Sequence, residues 1–157
     1  MTRPKIYLET TIIGYLTALP SRDLVIAALQ QVTRDWWAGR GAFDLFISQL
    51  VVDEASAGDT AAAARRLEAL RDVAILETTE DAVMLGRALL SGGAIPPKAA
   101  ADAFHIGIAA AHGLDYLVTW NCTHIANATL RGRIEAICRS FGFEPPIICT
   151  PVELAEE

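Results

Sequence analysis

The sequence has few cysteines, no long hydrophobic run and a deficit of positive charge. Cys122, Cys138 and Cys149 are odd in number and show no CxxC spacing, which argues against a disulfide framework and a structural zinc site. We therefore expect reduced thiols that are at least partly buried. No apolar run reaches the roughly 18 residues needed to span a bilayer. The N-terminus also lacks the pattern of a signal peptide, so we expect a cytoplasmic protein without membrane association.

Positive charge is the third shortage, because the sequence has 13 Lys and Arg residues against 19 Asp and Glu residues and a formal net charge of −6. Proteins that hold nucleic acid by charge alone are usually basic. The balance therefore argues against a general RNA-coating role. It does not exclude a nuclease, in which a bound metal ion offsets an acidic cluster locally.

The composition and the pattern of apolar segments predict one α/β domain over residues 1–157. With 52% hydrophobic and 20% charged residues the chain is typical of an ordered globule. Short apolar runs alternate with longer helical segments, which indicates a parallel sheet covered by helices. The predicted strands are 6–8, 44–47, 73–76, 116–119 and 147–149.

Helices are predicted between these strands. One covers about 22–39, and another is capped by Ser48 and breaks at 58–59. Further helices cover 61–71 and about 79–90, and a long one starts at Pro96-Pro97 and ends at His112, because proline tolerates the first helical turn. One more helix precedes the last strand.

Four polar residues are placed where such folds bind ligands. Glu9 and Asn121 follow the first and fourth strands, Glu54 lies on the helix after the second, and Asp102 lies near the start of the Pro97 helix. Each has apolar neighbours, so burying the carboxylates together is costly unless their pKa values rise or a cation holds them. Oxygen ligands of this kind suit Mg²⁺ or Mn²⁺. Singly, each acid is more often a solvated cap, and spacing alone does not prove that the acids converge.

Several blocks of the sequence resemble PIN domains, and they occur in the family's order over nearly the whole chain. The blocks are IYLETTII at 6–13, VVDE at 51–54, ADAFHI at 101–106 and LVTWNCTHIAN at 117–127. The closing segment, 148–154, resembles VapC-like toxins of bacterial toxin–antitoxin pairs.

This resemblance implies a three-layer α/β/α sandwich with a five-stranded parallel sheet, and hydrolysis of RNA phosphodiesters with one or two metal ions. By position, Glu9, Glu54 and Asp102 would be the catalytic acids that hold Mg²⁺ or Mn²⁺ and Asn121 the fourth polar group. Thr10 and Thr119 would hydrogen-bond these ligands or a metal-bound water. The expected partners are an RNA substrate, a small antitoxin protein and a second copy of the chain in a homodimer.

Two positions depart from the common family pattern and support an alternative. Glu9 stands where Asp is usual, and Asn121 stands where many members have Asp. The alternative is a PIN module that does not cleave and instead binds RNA or a partner protein. A receiver-like domain needs an Asp at the end of its middle strand and a Lys after its last strand. Here the third strand leads to Glu77 and the last to Thr150-Pro151, so this fold is disfavoured. A dehalogenase-type phosphatase is disfavoured because the first strand lacks a DxD motif.

Four basic or titratable residues are candidates for RNA contact. Lys98 lies one turn before Asp102, and Arg22 lies in the first loop. His105 follows Asp102 by three residues on one helix, so both can face one site. The functional role of His105 would then be metal ligation or proton transfer. His124 follows Asn121 by three and could touch a phosphate. For the histidines a structural role is the more common one, and for Arg22 and Lys98 ordinary surface charge.

Overall fold

A five-stranded, entirely parallel sheet forms the centre of the computed structural model, which describes residues 2–154. The order across the sheet is β3-β2-β1-β4-β5, so β1 is central and pairs with β2 on one side and β4 on the other. In this register Tyr7 pairs with Phe46 and with Leu117. The strands are β1 Lys5–Leu8, β2 Asp44–Ser48, β3 Ala74–Leu76, β4 Tyr116–Val118 and β5 Ile147–Cys149.

Seven α-helices of the described residues pack in two groups. The first four contact one another, whereas α5 contacts α6 and α7. Because parallel crossovers are right-handed and the chain reverses direction across the sheet after β3, these groups cover opposite faces. The predicted three-layer α/β/α architecture is therefore confirmed. The helices are α1 Thr10–Thr17, α2 Leu24–Ala38, α3 Gln49–Ala55, α4 Thr60–Leu70, α5 Glu80–Ser91, α6 Ala100–Ala111 and α7 Ala128–Ser140.

Two helical features differ from the sequence-based prediction. Helix α1 was not predicted, because its sequence TTIIGYLT combines β-branched residues with a glycine and has a low helix propensity. It forms because Glu9 caps it by accepting from the backbone N–H of Thr11, and because Ile12 and Ile13 are buried. The helix expected from Pro97 begins with a 3-10 turn over Pro97–Ala99, and α6 starts only at Ala100.

The core lies between the central strands and the helices on both faces. Ile6, Tyr7 and Leu8 of β1 are all fully buried, which is typical of a parallel strand covered on both sides. Ile106 of α6 and Leu117 of β4 are equally buried. Full burial on this scale contributes about 1.5–3 kcal/mol for each large apolar side chain. The strands that lead to the polar residues are therefore firmly held.

Helices α5 and α6 approach each other at a pair of glycines. A Cβ on Gly107 would lie 2.6 Å from the carbonyl oxygen of Ala82 and 2.9 Å from the backbone nitrogen of Gly86. A Cβ on Gly86 would lie 2.3 Å from the ring of Phe104. The two backbones are therefore in direct contact, and this contact fixes the position of the helix that carries Asp102 and His105.

The cysteines and the helix lengths complete the comparison with the sequence. Cys138 and Cys149 are buried and free, as expected, but Cys122 is exposed in the loop after β4. Burial raises the pKa of the Cys138 thiol to about 11 and that of Cys149 to about 12. Within residues 2–154, no helix is both long and apolar enough to cross a membrane.

Candidate active site

The polar residues gather at the carboxyl edge of the sheet where strand order reverses. From β1 the chain continues to β2 on one side, whereas β4 lies on the other side and continues to β5. The connections leaving β1 and β4 therefore diverge, and such a point forms a crevice in open α/β sheets. Glu9 directly follows β1, and Thr119 directly follows β4. The backbone N–H of Glu9 donates to the carbonyl of Val118 at 3.1 Å, which holds the two strand ends together.

Glu9 is a buried carboxylate held through one of its two oxygens. Only 3% of the residue is exposed. Its Oε1 accepts from the hydroxyls of Thr11 and Thr119, at 2.5 and 2.6 Å, and from the Thr11 backbone N–H at 3.2 Å. Among the described residues, no hydrogen bond reaches Oε2 and no Lys, Arg or His forms an ion pair with Glu9. One oxygen thus anchors the side chain, while the other has no donor within residues 2–154.

The two hydroxyls that hold Glu9 are themselves oriented by the loop after β4. The hydroxyl of Thr11 accepts from the Trp120 backbone N–H at 2.8 Å, and that of Thr119 accepts from the Asn121 backbone N–H at 2.9 Å. Each hydroxyl thus accepts from the loop and donates its single proton to the Glu9 carboxylate. Sequence reasoning identified Thr119 but missed Thr11. A hydroxyl two residues after a capping acid was the available signal.

Glu54 is the second acid, and it reaches the site from α3. Its Oε1 accepts from the Thr10 hydroxyl at 2.7 Å and is 2.5 Å from His105 Nε2, while the side chain remains 35% exposed. Burial favours a raised pKa, but the hydrogen bonds from His105 and Thr10 outweigh it and lower the pKa of Glu54. Glu54 is therefore an ionised acceptor near neutral pH. As with Glu9, the described contacts all reach Oε1, and Oε2 has none.

His105 connects Glu54 to the core. It is fully buried on α6, and its Nδ1 is 2.6 Å from the hydroxyl of Tyr7. That hydroxyl is also 2.8 Å from the Ser48 hydroxyl, and burial raises the pKa of Tyr7 well above its usual range. Tyr7 is therefore a neutral phenol. The sequence did not indicate this Tyr7–His105–Glu54 contact, since its members lie on three separate elements.

Glu9, Glu54 and His105 form a compact group of metal-binding atoms. One ligand atom from each lies within 4.8 Å of the others. Two unit charges about 4 Å apart repel by about 4 kcal/mol at an effective dielectric of about 20. Because both carboxylates also keep an oxygen without a donor, the donor set suits a hard divalent cation. Since His105 Nε2 is already in contact with Glu54, the two carboxylates are the available ligands.

The structure places Asp102 and Asn121 differently. Asp102 lies in the first turn of α6, half-buried, and does not belong to the compact group found among the described residues. Asn121 lies after β4, and its Oδ1 accepts from the His124 backbone N–H at 3.0 Å. The Asn121 side chain thus stabilises its own loop. The sequence placed both residues on the correct elements, but it could not give these contacts.

The four candidates for RNA contact differ in their exposure to solvent. Arg22 and Lys98 are exposed, in the loop before α2 and in the 3-10 turn before α6. His124 is half-buried in the loop after β4. His105 is fully buried with both ring nitrogens in contact with side chains, so it presents no nitrogen to RNA. The expectation of an RNA contact by His105 is therefore replaced by an internal role.

Comparison with known protein families identifies a PIN domain in this chain. The model of the PIN domain matches residues 6–121, well over half of the chain. This segment contains Glu9, Glu54 and Asp102 and ends at Asn121. No curated protein matches the chain.

Proposed function

Since the chain belongs to the PIN domain family, whose members are generally nucleases, we propose that it is a divalent-metal-dependent endoribonuclease that hydrolyses phosphodiester bonds in RNA. We also propose that it acts as the toxin of a toxin–antitoxin pair, with a small antitoxin protein as its partner and a homodimer as its assembly. Mg²⁺ or Mn²⁺ is the proposed cofactor.

The geometry of Glu9 and Glu54 is the observation that supports this proposal best. Both carboxylates are anchored through Oε1, lie within 4.8 Å of each other through their ligand atoms, and leave Oε2 without a protein donor in the described chain. A merely structural acid usually has a cationic or fully hydrogen-bonded partner when it is buried. In the described part of the chain, Glu9 has hydroxyl and backbone N–H donors but no cationic partner. A divalent ion would supply the missing charge.

Glu9 and Glu54 would hold the ion, with Asp102 as the third acid that the family pattern suggests. The ion would supply an activated water and charge stabilisation on the phosphate. The chain's own contribution is to fix the carboxylates through Thr10, Thr11 and Thr119 before substrate arrives. Such pre-organisation lowers the cost of assembling the charged site.

Binding of RNA to an acidic chain requires local positive charge. Arg22 and Lys98 are the exposed cations that we propose for phosphate contact, with His124 and Asn121 on the loop after β4. With a net charge of −6, the rest of the protein adds little attraction for RNA. We therefore expect modest affinity and cleavage that depends on metal more than on charge attraction.

The test is RNA cleavage by the purified chain during titration with Mn²⁺ and Mg²⁺. We expect Glu54→Gln to lose cleavage by about a hundredfold or more, because it removes a ligand charge next to the reacting phosphate. Asp53→Asn is the matched control, since it removes one negative charge from the adjacent exposed residue, which contacts Gln49. Full activity in Glu54→Gln, or equal loss in both variants, would contradict the proposal.

The alternative function is a PIN module that binds RNA or a protein without cleaving. The departures at Glu9 and Asn121 favour it. Wild-type protein that binds RNA but releases no fragments at millimolar Mn²⁺ would establish this alternative. The toxin role is tested separately by expressing the chain in a bacterial host. Growth arrest that disappears with Glu54→Gln is expected.

A further inference from the structure

Glu54 is the end of a chain of hydrogen-bonding side chains that begins in the sheet. Ser48 at the end of β2 contacts Tyr7 of β1, Tyr7 contacts His105 of α6, and His105 contacts Glu54 of α3. We propose that His105 is a positioning residue for Glu54 and that Tyr7 fixes the orientation of the His105 ring. This inference rests on the proposed role of Glu54 as a metal ligand.

The directions of the hydrogen bonds follow from what each atom can donate. Ionised Glu54 has no proton, so His105 Nε2 carries one and donates it to Oε1. In the neutral tautomer with Nε2 protonated, Nδ1 carries no proton, so the Tyr7 hydroxyl donates to His105 Nδ1. The Ser48 hydroxyl, whose oxygen also accepts from the Val51 backbone N–H at 3.4 Å, then donates to the Tyr7 oxygen. Each proton shared along this series of four side chains therefore has one acceptor.

This arrangement restricts the rotation of the Glu54 carboxylate. Oε1 is occupied by Thr10 and His105 together, so the carboxylate cannot exchange its two oxygens by rotating without losing both donors. Among the described residues, no donor reaches Oε2, which leaves this oxygen available to an ion. Thr10 alone would leave the carboxylate able to pivot about a single hydrogen bond. His105 thus holds the part-exposed Glu54 carboxylate in one orientation.

The first experiment measures Mn²⁺ affinity by calorimetry, without RNA. Loss of an outer partner of a metal ligand typically lowers affinity about 10–100-fold, and we expect this for His105→Leu, which fills the volume but donates nothing. His105→Gln places an amide N–H near the position of Nε2 and should restore most of the affinity. His112→Leu is the matched control, since that histidine ends the same helix and contacts the backbone carbonyl of Glu77. A purely structural role for His105 predicts no selective rescue by glutamine.

The second experiment observes the His105 ring directly by ¹⁵N NMR in the metal-free protein. We expect Nε2 to be protonated and Nδ1 to accept a hydrogen bond. Tyr7→Phe should shift the Nδ1 signal and weaken Mn²⁺ binding severalfold, while Tyr116→Phe, which removes a hydroxyl from the neighbouring strand, should change neither. An Nδ1-protonated neutral ring in wild type would overturn the assignment.

The outcomes separate this inference from the proposed function. Wild-type protein that binds Mn²⁺, loses affinity in His105→Leu and still cleaves no RNA would contradict the nuclease proposal and leave the positioning role standing. Equal Mn²⁺ affinity in wild type and His105→Leu would overturn the positioning role, whether or not RNA is cleaved.

Discussion

The two halves of the candidate site differ in the hydrogen bonds that hold their polar side chains. On one side, Glu9 and Glu54 are held by five hydrogen bonds at their Oε1 atoms, donated by threonines and His105. On the other, Asn121 uses its side-chain oxygen on its own loop, and Asp102 lies outside the compact group of the described residues. Under the proposed function, we therefore expect a first ion to bind at Glu9 and Glu54, and the side with Asn121 and Asp102 to contribute mainly when substrate is bound.

The largest expected effect concerns the stabilisation of the fold by metal. A ligand that binds only the native state at 100 times its Kd stabilises it by about 2.7 kcal/mol. We expect Glu9→Gln to abolish this Mn²⁺-dependent rise in Tm, since glutamine can keep the cap of α1 but loses the charge. Asp102→Asn should retain more than half of the rise.

Thermal unfolding with and without Mn²⁺ gives the comparison. Asp53→Asn is the control and should respond like wild type. If Glu9→Gln and Asp102→Asn lose the response equally, the two halves do not differ, and Asp102 is a full ligand of the first ion.

The next largest effect concerns the missing charge at Asn121. Asn121→Asp preserves an acceptor for the His124 backbone N–H and adds one negative charge beside the site. We expect the Mn²⁺ concentration for half-maximal cleavage to fall about tenfold, which corresponds to about 1.4 kcal/mol of added attraction. Asn127→Asp is the matched control, because Asn127 is also a capping asparagine, at the start of α7. An equal shift in both variants would mean that the added charge acts only at long range.

The smallest effect concerns the accessibility of the loop that carries Asn121. Cys122 is exposed one residue after Asn121, so its alkylation rate reports on this loop. We expect RNA to slow that reaction severalfold in Glu54→Gln, which cannot cleave. Cys138 and Cys149 are internal controls, because burial and pKa values of about 11 and about 12 keep their thiolate fractions low at pH 8. An unchanged Cys122 rate with saturating RNA would place RNA elsewhere.

The sequence predicted those features that depend on neighbours along the chain. The strands follow from short apolar runs, and the cap at Ser48 follows from a hydroxyl placed before a helical segment. The positions of Glu9 and Glu54 at the carboxyl edge follow from parallel topology. Helix α1 did not follow, because its capping and burial outweigh its weak propensity.

Contacts between distant segments could not be predicted. Spacing placed His105 on the same helix face as Asp102, but its partners Tyr7 and Glu54 are 98 and 51 residues away. Nothing in the local sequence distinguishes a histidine that faces substrate from one that faces a buried tyrosine. Thr11 was missed for a related reason, since its role depends on the Trp120 backbone N–H, 109 residues away.

The contact between Gly86 and Gly107 has a consequence for how the chain tolerates substitution over evolution. Any side chain at Gly107 would meet backbone atoms of α5, which cannot rotate away, whereas a Cβ at Gly14 of α1 would meet nothing within 4 Å. Replacement at Gly107 would therefore separate the two helices and displace His105, two residues earlier, from Tyr7. Invariance of Gly107 among relatives would record this close packing, although the glycine itself has no chemistry to contribute.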